Sequence, residues 1–330
     1  MDNKSLSYKI SLFGCVFAAV VVLLGAYTRL VDAGLGCPDW PGCYGFLTAP
    51  DSHEEIKIAE QAFPHAPVEA HKAWPEMVHR YFAGTLGLII ALLAFLAFKA
   101  RQDDSQPLLL PILLLGLVIF QAALGMWTVT MGLLPIVVMG HLLGGFTTLA
   151  LLLLLFLRLR DGNKPSSASP LRNLALIGLA IVFIQISLGG WTSANYAAII
   201  CTDFPTCQGH WLPPLDIAGA FELHDENVQN YLGGFLGNDA RVTIHWLHRL
   251  GALVTTLFIL FLAFRLFSSR HRGFAGWLLL VLVVQVSLGI SNVVFSLPLA
   301  VAVAHNGVAA LLLLTMVTLV HTLGRQRATS

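Results

Sequence analysis

Residues 75–98 read PEMVHRYFAGTLGLIIALLAFLAF. From Ala83 to Phe98 the run carries no charge, and a helix needs about 20 mostly apolar residues to cross the hydrocarbon core of a bilayer. The other end of the same run holds Glu76, His79 and Arg80. Ionisable groups are expensive in a membrane and are functional candidates there by default. One stretch therefore predicts a membrane helix with chemistry gathered at one end.

Seven further runs of this kind lie at 10–30, 107–130, 134–157, 171–193, 242–266, 273–295 and 299–322. Composition agrees. Of 330 residues, 56% are apolar and only 11% charged, against about 25% charged in a soluble chain. The net charge of +1 offers no basic field to a polyanion. A soluble enzyme, a disordered tail and a nucleic-acid binder are all disfavoured. The mean hydropathy of +0.76 indicates a polytopic membrane protein in contact with lipid. The first apolar run is too long for a cleavable signal peptide and lacks a small-residue cleavage site. With eight spans, the side holding both termini also holds Lys4, Lys9, Lys99, Arg101, Arg158, Arg160, Lys164, Arg172, Arg265, Arg270, Arg272, Arg325 and Arg327. The positive-inside rule places that side in the cytoplasm. The two long connections, 31–74 and 194–241, then face outward.

The chain repeats itself. At a shift of 164, Cys37-Pro-Asp39-Trp-Pro41-Gly-Cys43 falls on Cys201-Thr-Asp203-Phe-Pro205-Thr-Cys207. Gln121-x-x-Leu124-Gly125 falls on Gln285-x-x-Leu288-Gly289, and His141 on His305. At a shift of 169, His79-Arg80 falls on His248-Arg249. Each half has four spans, so the halves share one orientation. The expected fold is all-α: two four-helix bundles, residues 1–160 and 161–330, related by a pseudo-twofold axis along the membrane normal.

Of twelve histidines, seven sit in loops or at a span end. His79, His141, His248 and His305 instead sit inside the four even-numbered spans, about one to two turns below the outer surface. Paired as His79 with His141 and His248 with His305, they suit axial ligation of haem iron. Structural zinc would want four ligands, and no cysteine is near these histidines. Arg80 and Arg249 are placed to hold haem propionates; the bland alternative is a headgroup contact. Gly140, Gly144, Gly145 and Gly307 would let a macrocycle approach the helices, or serve ordinary close packing. Glu76 stands three residues before His79, where the second half has His245. Its two readings are a proton-transfer group and a first-turn carboxylate favoured by the helix dipole after Pro75. His245 reads as a polar neighbour of the outer loop. Cys37, Cys43, Cys201 and Cys207 lie on the disulfide-permissive side. Local bridges 37–43 and 201–207 are the simplest of three pairings, as loop staples or, for the first, as a redox pair.

Taken together, Glu-x-x-His-Arg in span two, His-Arg in span six and one histidine each in spans four and eight resemble haem A synthase over nearly the whole chain. The resemblance implies an oxidoreductase of the cell inner membrane that converts the methyl group of haem O to a formyl group for cytochrome c oxidase. It implies that the first histidine pair and Glu76 hold the substrate haem and that the second pair holds a haem b. Haem O synthase, oxidase assembly factors and a second copy of the chain are the protein partners that fit. The rival readings are a bis-histidine electron-transfer cytochrome b and a haem carrier. The first should place histidine pairs near opposite faces, and the second has no need of an asymmetric Glu76.

Overall fold

The computed structural model describes residues 3–103, 106–162 and 169–325. Lys164 and Arg327, counted above for orientation, lie outside them. Among the described residues there are ten helices: α1 (Asn3–Leu30), α2 (His53–Ala62), α3 (Ala70–Lys99), α4 (Leu109–Thr130), α5 (Pro135–Asp161), α6 (Leu171–Ala194), α7 (Ile217–Ala220), α8 (Asn238–Phe267), α9 (Arg272–Val294) and α10 (Leu299–Leu323). Eight of them, all but α2 and α7, are long and apolar enough to cross a membrane. The chain is an all-helical, multi-pass membrane protein. Only 17–39% of each span's most apolar window is buried. Large apolar side chains such as Leu88, Phe95, Phe264 and Val283 face outward. A patch of that extent is tolerable against lipid and not against water.

Three spans begin well before their apolar runs. α1 starts at Asn3, α3 at Ala70 and α8 at Asn238, each adding polar residues ahead of its apolar run. Hydropathy marks the part of a helix in hydrocarbon, not the whole helix. The shift matters for Glu76, which lies in the second turn of α3 and outside the first turn, where the dipole acts most strongly.

The helices pack as two rings of four. In the first, α1 and α4 each contact both α3 and α5; in the second, α6 and α9 each contact both α8 and α10. Between the rings, α5 meets α6 and α10, and α1 meets α10. Arg29 donates to the carbonyl of Ser193 at one end of this seam. Arg325 donates to the carbonyl of Asp161 at 3.2 Å at the other. Both pairs are equivalent positions under the 164-residue shift. At the second of these ends the Asp161 carboxylate also accepts from His321 Nε2 at 2.9 Å and Arg160 Nε at 2.7 Å.

A finer repeat lies inside each half. α1, α4, α6 and α9 each carry Leu-Gly five residues before their last residue: Leu24-Gly25, Leu124-Gly125, Leu188-Gly189 and Leu288-Gly289. All four end in the same turn. The amides of Ala33, Leu133, Ala197 and Leu297 return to the carbonyls of Thr28, Thr128, Thr192 and Asn292 at 2.7–2.9 Å. The residue before each amide is left-handed: Asp32, Gly132, Tyr196 and Ser296, with φ between 53° and 56°. This is the Schellman closure of a helix. The chain is thus four helical pairs, and in each the second member carries one of the four histidines.

Candidate functional site

The four histidines stand 6–10 residues into α3, α5, α8 and α10, about 9–15 Å along each helix from its start. All four helices start at the end where the cysteine loops lie, so the four imidazoles share one end of the molecule. The rings of His79 and His141 face each other with centroids 6.3 Å apart and planes at 88°. Two metal–imidazole bonds of about 2 Å, each plus about 1 Å from nitrogen to ring centre, place axial rings about 6 Å apart.

Each imidazole rests on the Leu-Gly glycine of a neighbouring span. A Cβ built on Gly25 would lie 2.9 Å from His79 Cε1, on Gly125 3.4 Å from His141, on Gly189 3.1 Å from His248 and on Gly289 3.1 Å from His305. The glycines singled out beside the histidines in sequence face other groups: Gly144 meets Gln121, Gly145 meets Val22 and Gly307 meets Leu23. The Nδ1 atoms of His79, His141 and His305 are buried without a hydrogen-bond partner. Such a group is costly to leave unpaired, and a ring held for a further ligand explains why it is kept. Gln185 Nε2 contacts His248 Nδ1 at 3.1 Å and Gln285 Nε2 contacts His305 Nε2 at 3.4 Å. The matching position in α1 is Val21, so His79 alone has no amide at that register. Among the described residues no three His, Cys, Asp or Glu side chains gather as a metal cluster. The facing pair of His79 and His141 fits haem, which needs two axial ligands, better than four-coordinate zinc.

Both bridges, 37–43 and 201–207, are formed. The aspartate between the cysteines folds each loop. Asp39 accepts the amides of Tyr44 and Gly45 at 2.6 and 2.8 Å. Asp203 accepts those of Gln208 and Gly209 at 2.7 and 2.9 Å. The Thr206 hydroxyl and these amides hold the Asp203 carboxyl at about 2, well below the usual carboxylate range.

The arginine after each first ligand anchors the loop above it. Arg80 donates to the carbonyls of Asp39, Pro41 and Gly42, and pairs with Glu76. Arg249 donates to Thr206 and Cys201 at 2.6 and 3.0 Å. Glu76 is 5% exposed. One of its oxygens meets Arg80, and the other accepts the Cys37 amide at 3.0 Å. His245 stands at the equivalent place and donates from Nδ1 to the Ala197 carbonyl at 2.8 Å. The sequence pointed to all of these residues but not to their loop partners, because a contact across some 40 residues leaves no local pattern.

The sequence matches the COX15-CtaA family, described as cytochrome oxidase assembly protein, over residues 8–317. It is 51% identical to the Heme A synthase of Shewanella oneidensis, with 92% of each chain covered. It is 30% identical to that of Nitrosospira multiformis over 94% of this chain and 92% of the relative. It is 27% identical to that of Flavobacterium psychrophilum over 97% and 98%. With a family match that runs nearly end to end and enters every one of the eight spans, the chain belongs to the COX15-CtaA family of cytochrome oxidase assembly proteins.

Proposed function

We propose that the protein is a haem A synthase, an oxidoreductase that oxidises the methyl group of haem O, through the hydroxymethyl stage, to the formyl group of haem A. One observation carries the reading. The two halves repeat their histidines, arginines and cysteine loops, but among the described residues only the first has a buried carboxylate, Glu76, three positions before its first histidine, where the second half has His245. A carrier has no use for that difference. A cytochrome that moves electrons across the bilayer needs haems near opposite faces, whereas these four histidines share one end. The name borne by relatives that cover nine-tenths of the chain supports the same reading.

In this reading His79 and His141 take the iron of the substrate haem O, and His248 and His305 that of a resident haem b. The division into residues 1–160 and 161–330 is supported by the two closed helix rings and by the contacts of equivalent positions along their seam. When bound, haem b would supply one-electron transfer. Glu76, fixed by Arg80 and the Cys37 amide, is the group placed to take a proton or to stabilise positive charge at the substrate's edge. Arg249 keeps a buried Nε without a partner, a donor available to a propionate; Arg80 has the matching position. The Lys/Arg asymmetry supports an orientation with both termini in the cytoplasm, and the bacterial relatives support the cell inner membrane. An enzyme that makes haem O and assembly factors of the oxidase are the protein partners this role entails.

The test is pigment extraction. Expressed with a supply of haem O, the protein should yield hydroxylated and formylated haem on chromatography. Haem O recovered unchanged beside an intact low-spin haem b would overturn the synthase reading.

A further inference from the structure

Glycine inside a helix is unfavourable relative to alanine, so four glycines at one register of four helices call for a reason. Gly25, Gly125, Gly189 and Gly289 each stand five residues before the end of their helix, and each meets the imidazole of a different histidine. The approach is closest at Gly25, where an added Cβ would lie 2.9 Å from the ring, and loosest at Gly125, at 3.4 Å. By contrast, Gly84 and Gly116, also within spans, have nothing within 4 Å of such a Cβ. A second observation points the same way. Three of the four rings bury an Nδ1 with no hydrogen-bond partner, so for those rings no hydrogen bond at Nδ1 sets the orientation. Packing must do it.

We propose that Gly25, Gly125, Gly189 and Gly289 are positioning residues, each the seat on which one imidazole lies, and that the missing Cβ sets how far the ring projects between its helices. The inference rests on the reading of the histidines as axial ligands for its consequence, but the seat itself is a steric relation within the protein. The direction of the effect follows. A methyl group on Gly189 or Gly289 would lie 3.1 Å from the imidazole, so the ring must shift from its place to admit it. Gly125, with ordinary contact distance nearly reached, tolerates the methyl best.

The test is a double-mutant cycle on the full-length protein in detergent, read by thermal unfolding and by the spectrum of bound haem. Gly189→Ala should lower the unfolding temperature, and the loss should vanish in the His248→Ala background, since the imidazole it strikes is gone. Gly289→Ala with His305→Ala should behave alike, and serves if the first variant does not accumulate. Gly84→Ala and Gly116→Ala, which have open space for the methyl, should leave the haem signal unchanged and hold or slightly raise the unfolding temperature. In the haem-loaded protein, Gly189→Ala should release haem b about tenfold faster and shift its low-spin signal, the coupling expected of groups in direct contact. Equal destabilisation by Gly189→Ala with and without His248, and by Gly289→Ala with and without His305, would overturn the seat. If instead His248→Ala and His305→Ala keep a normal haem signal while the cycle shows coupling, the ligand reading fails and the steric seat stands.

Discussion

Glu76 accepts the backbone amide of Cys37, a residue 39 positions earlier in the chain, at 3.0 Å. The helix that carries His79 and the disulfide loop above it are thereby one unit, closed again by Arg80 on the carbonyls of Asp39, Pro41 and Gly42. The carboxylate has this structural contact and, in the proposed function, a catalytic role as well, and its substitution separates the two.

Glu76→Gln retains an oxygen for the Cys37 amide but loses the ion pair with Arg80. Both haems should still bind. Conversion should fall by roughly 10²–10⁴-fold, the usual loss on removing an acid–base group, leaving haem O or its hydroxymethyl form on chromatography. Near-normal haem A output would make Glu76 a loop anchor only.

The histidine pairs should divide by half. His248→Ala or His305→Ala should remove the low-spin haem b signal. His79→Ala or His141→Ala should spare it and abolish conversion. Equal loss of haem b in all four variants, measured by pyridine haemochrome, contradicts the assignment of one haem to each half.

Arg249 holds the second cysteine loop through two carbonyls, and a hydrogen bond to a charged donor contributes about 1.5–3 kcal/mol. Arg249→Ala should raise the rate of limited proteolysis between residues 195 and 237 by about ten- to a hundredfold. Arg249→Lys should recover only part of the protection, because an ammonium does not reproduce the planar fork. An unchanged cleavage rate in both variants would show that the bridge and Asp203 hold the loop alone.

Topology is checked by reporter fusions at residue 60, within α2, and at the C-terminus. Opposite sides are expected, the C-terminus in the cytoplasm. The same side for both would contradict eight crossings.

The eight spans were legible because an unbroken run of about 20 apolar residues is long enough to cross a bilayer and too apolar for most places in a water-soluble fold. The start of α3 was not, since Ala70–Trp74 is helical but carries His71 and Lys72, which break the apolar run, and Pro75 looked like a first helical residue when it is the sixth. The doubling of the chain was legible in its cysteines and histidines, whose chemistry keeps residue types recognisable. The finer fourfold pattern was not. It rests on Leu-Gly pairs and on left-handed residues as unlike as Asp32, Gly132, Tyr196 and Ser296, where backbone shape is kept and side-chain identity is free. The seats of the histidines were hidden for a related reason: glycines close in sequence to a histidine draw the eye, whereas the ones that touch it lie on another helix.

Along the seam between the rings, equivalent positions meet: Arg29 with Ser193, and Asp161 with Arg325. In a dimer of identical subunits, a residue on the symmetry axis faces its own copy, so an arginine there meets an arginine and an aspartate an aspartate. Joining the copies in one chain lifts that constraint. One copy is free to change: Arg29 and Arg325 each donate to the backbone carbonyl of an equivalent position whose side chain differs, Ser193 and Asp161. A single chain can thus carry unlike side chains at equivalent places along the seam, and with them a first half and a second half that are no longer interchangeable.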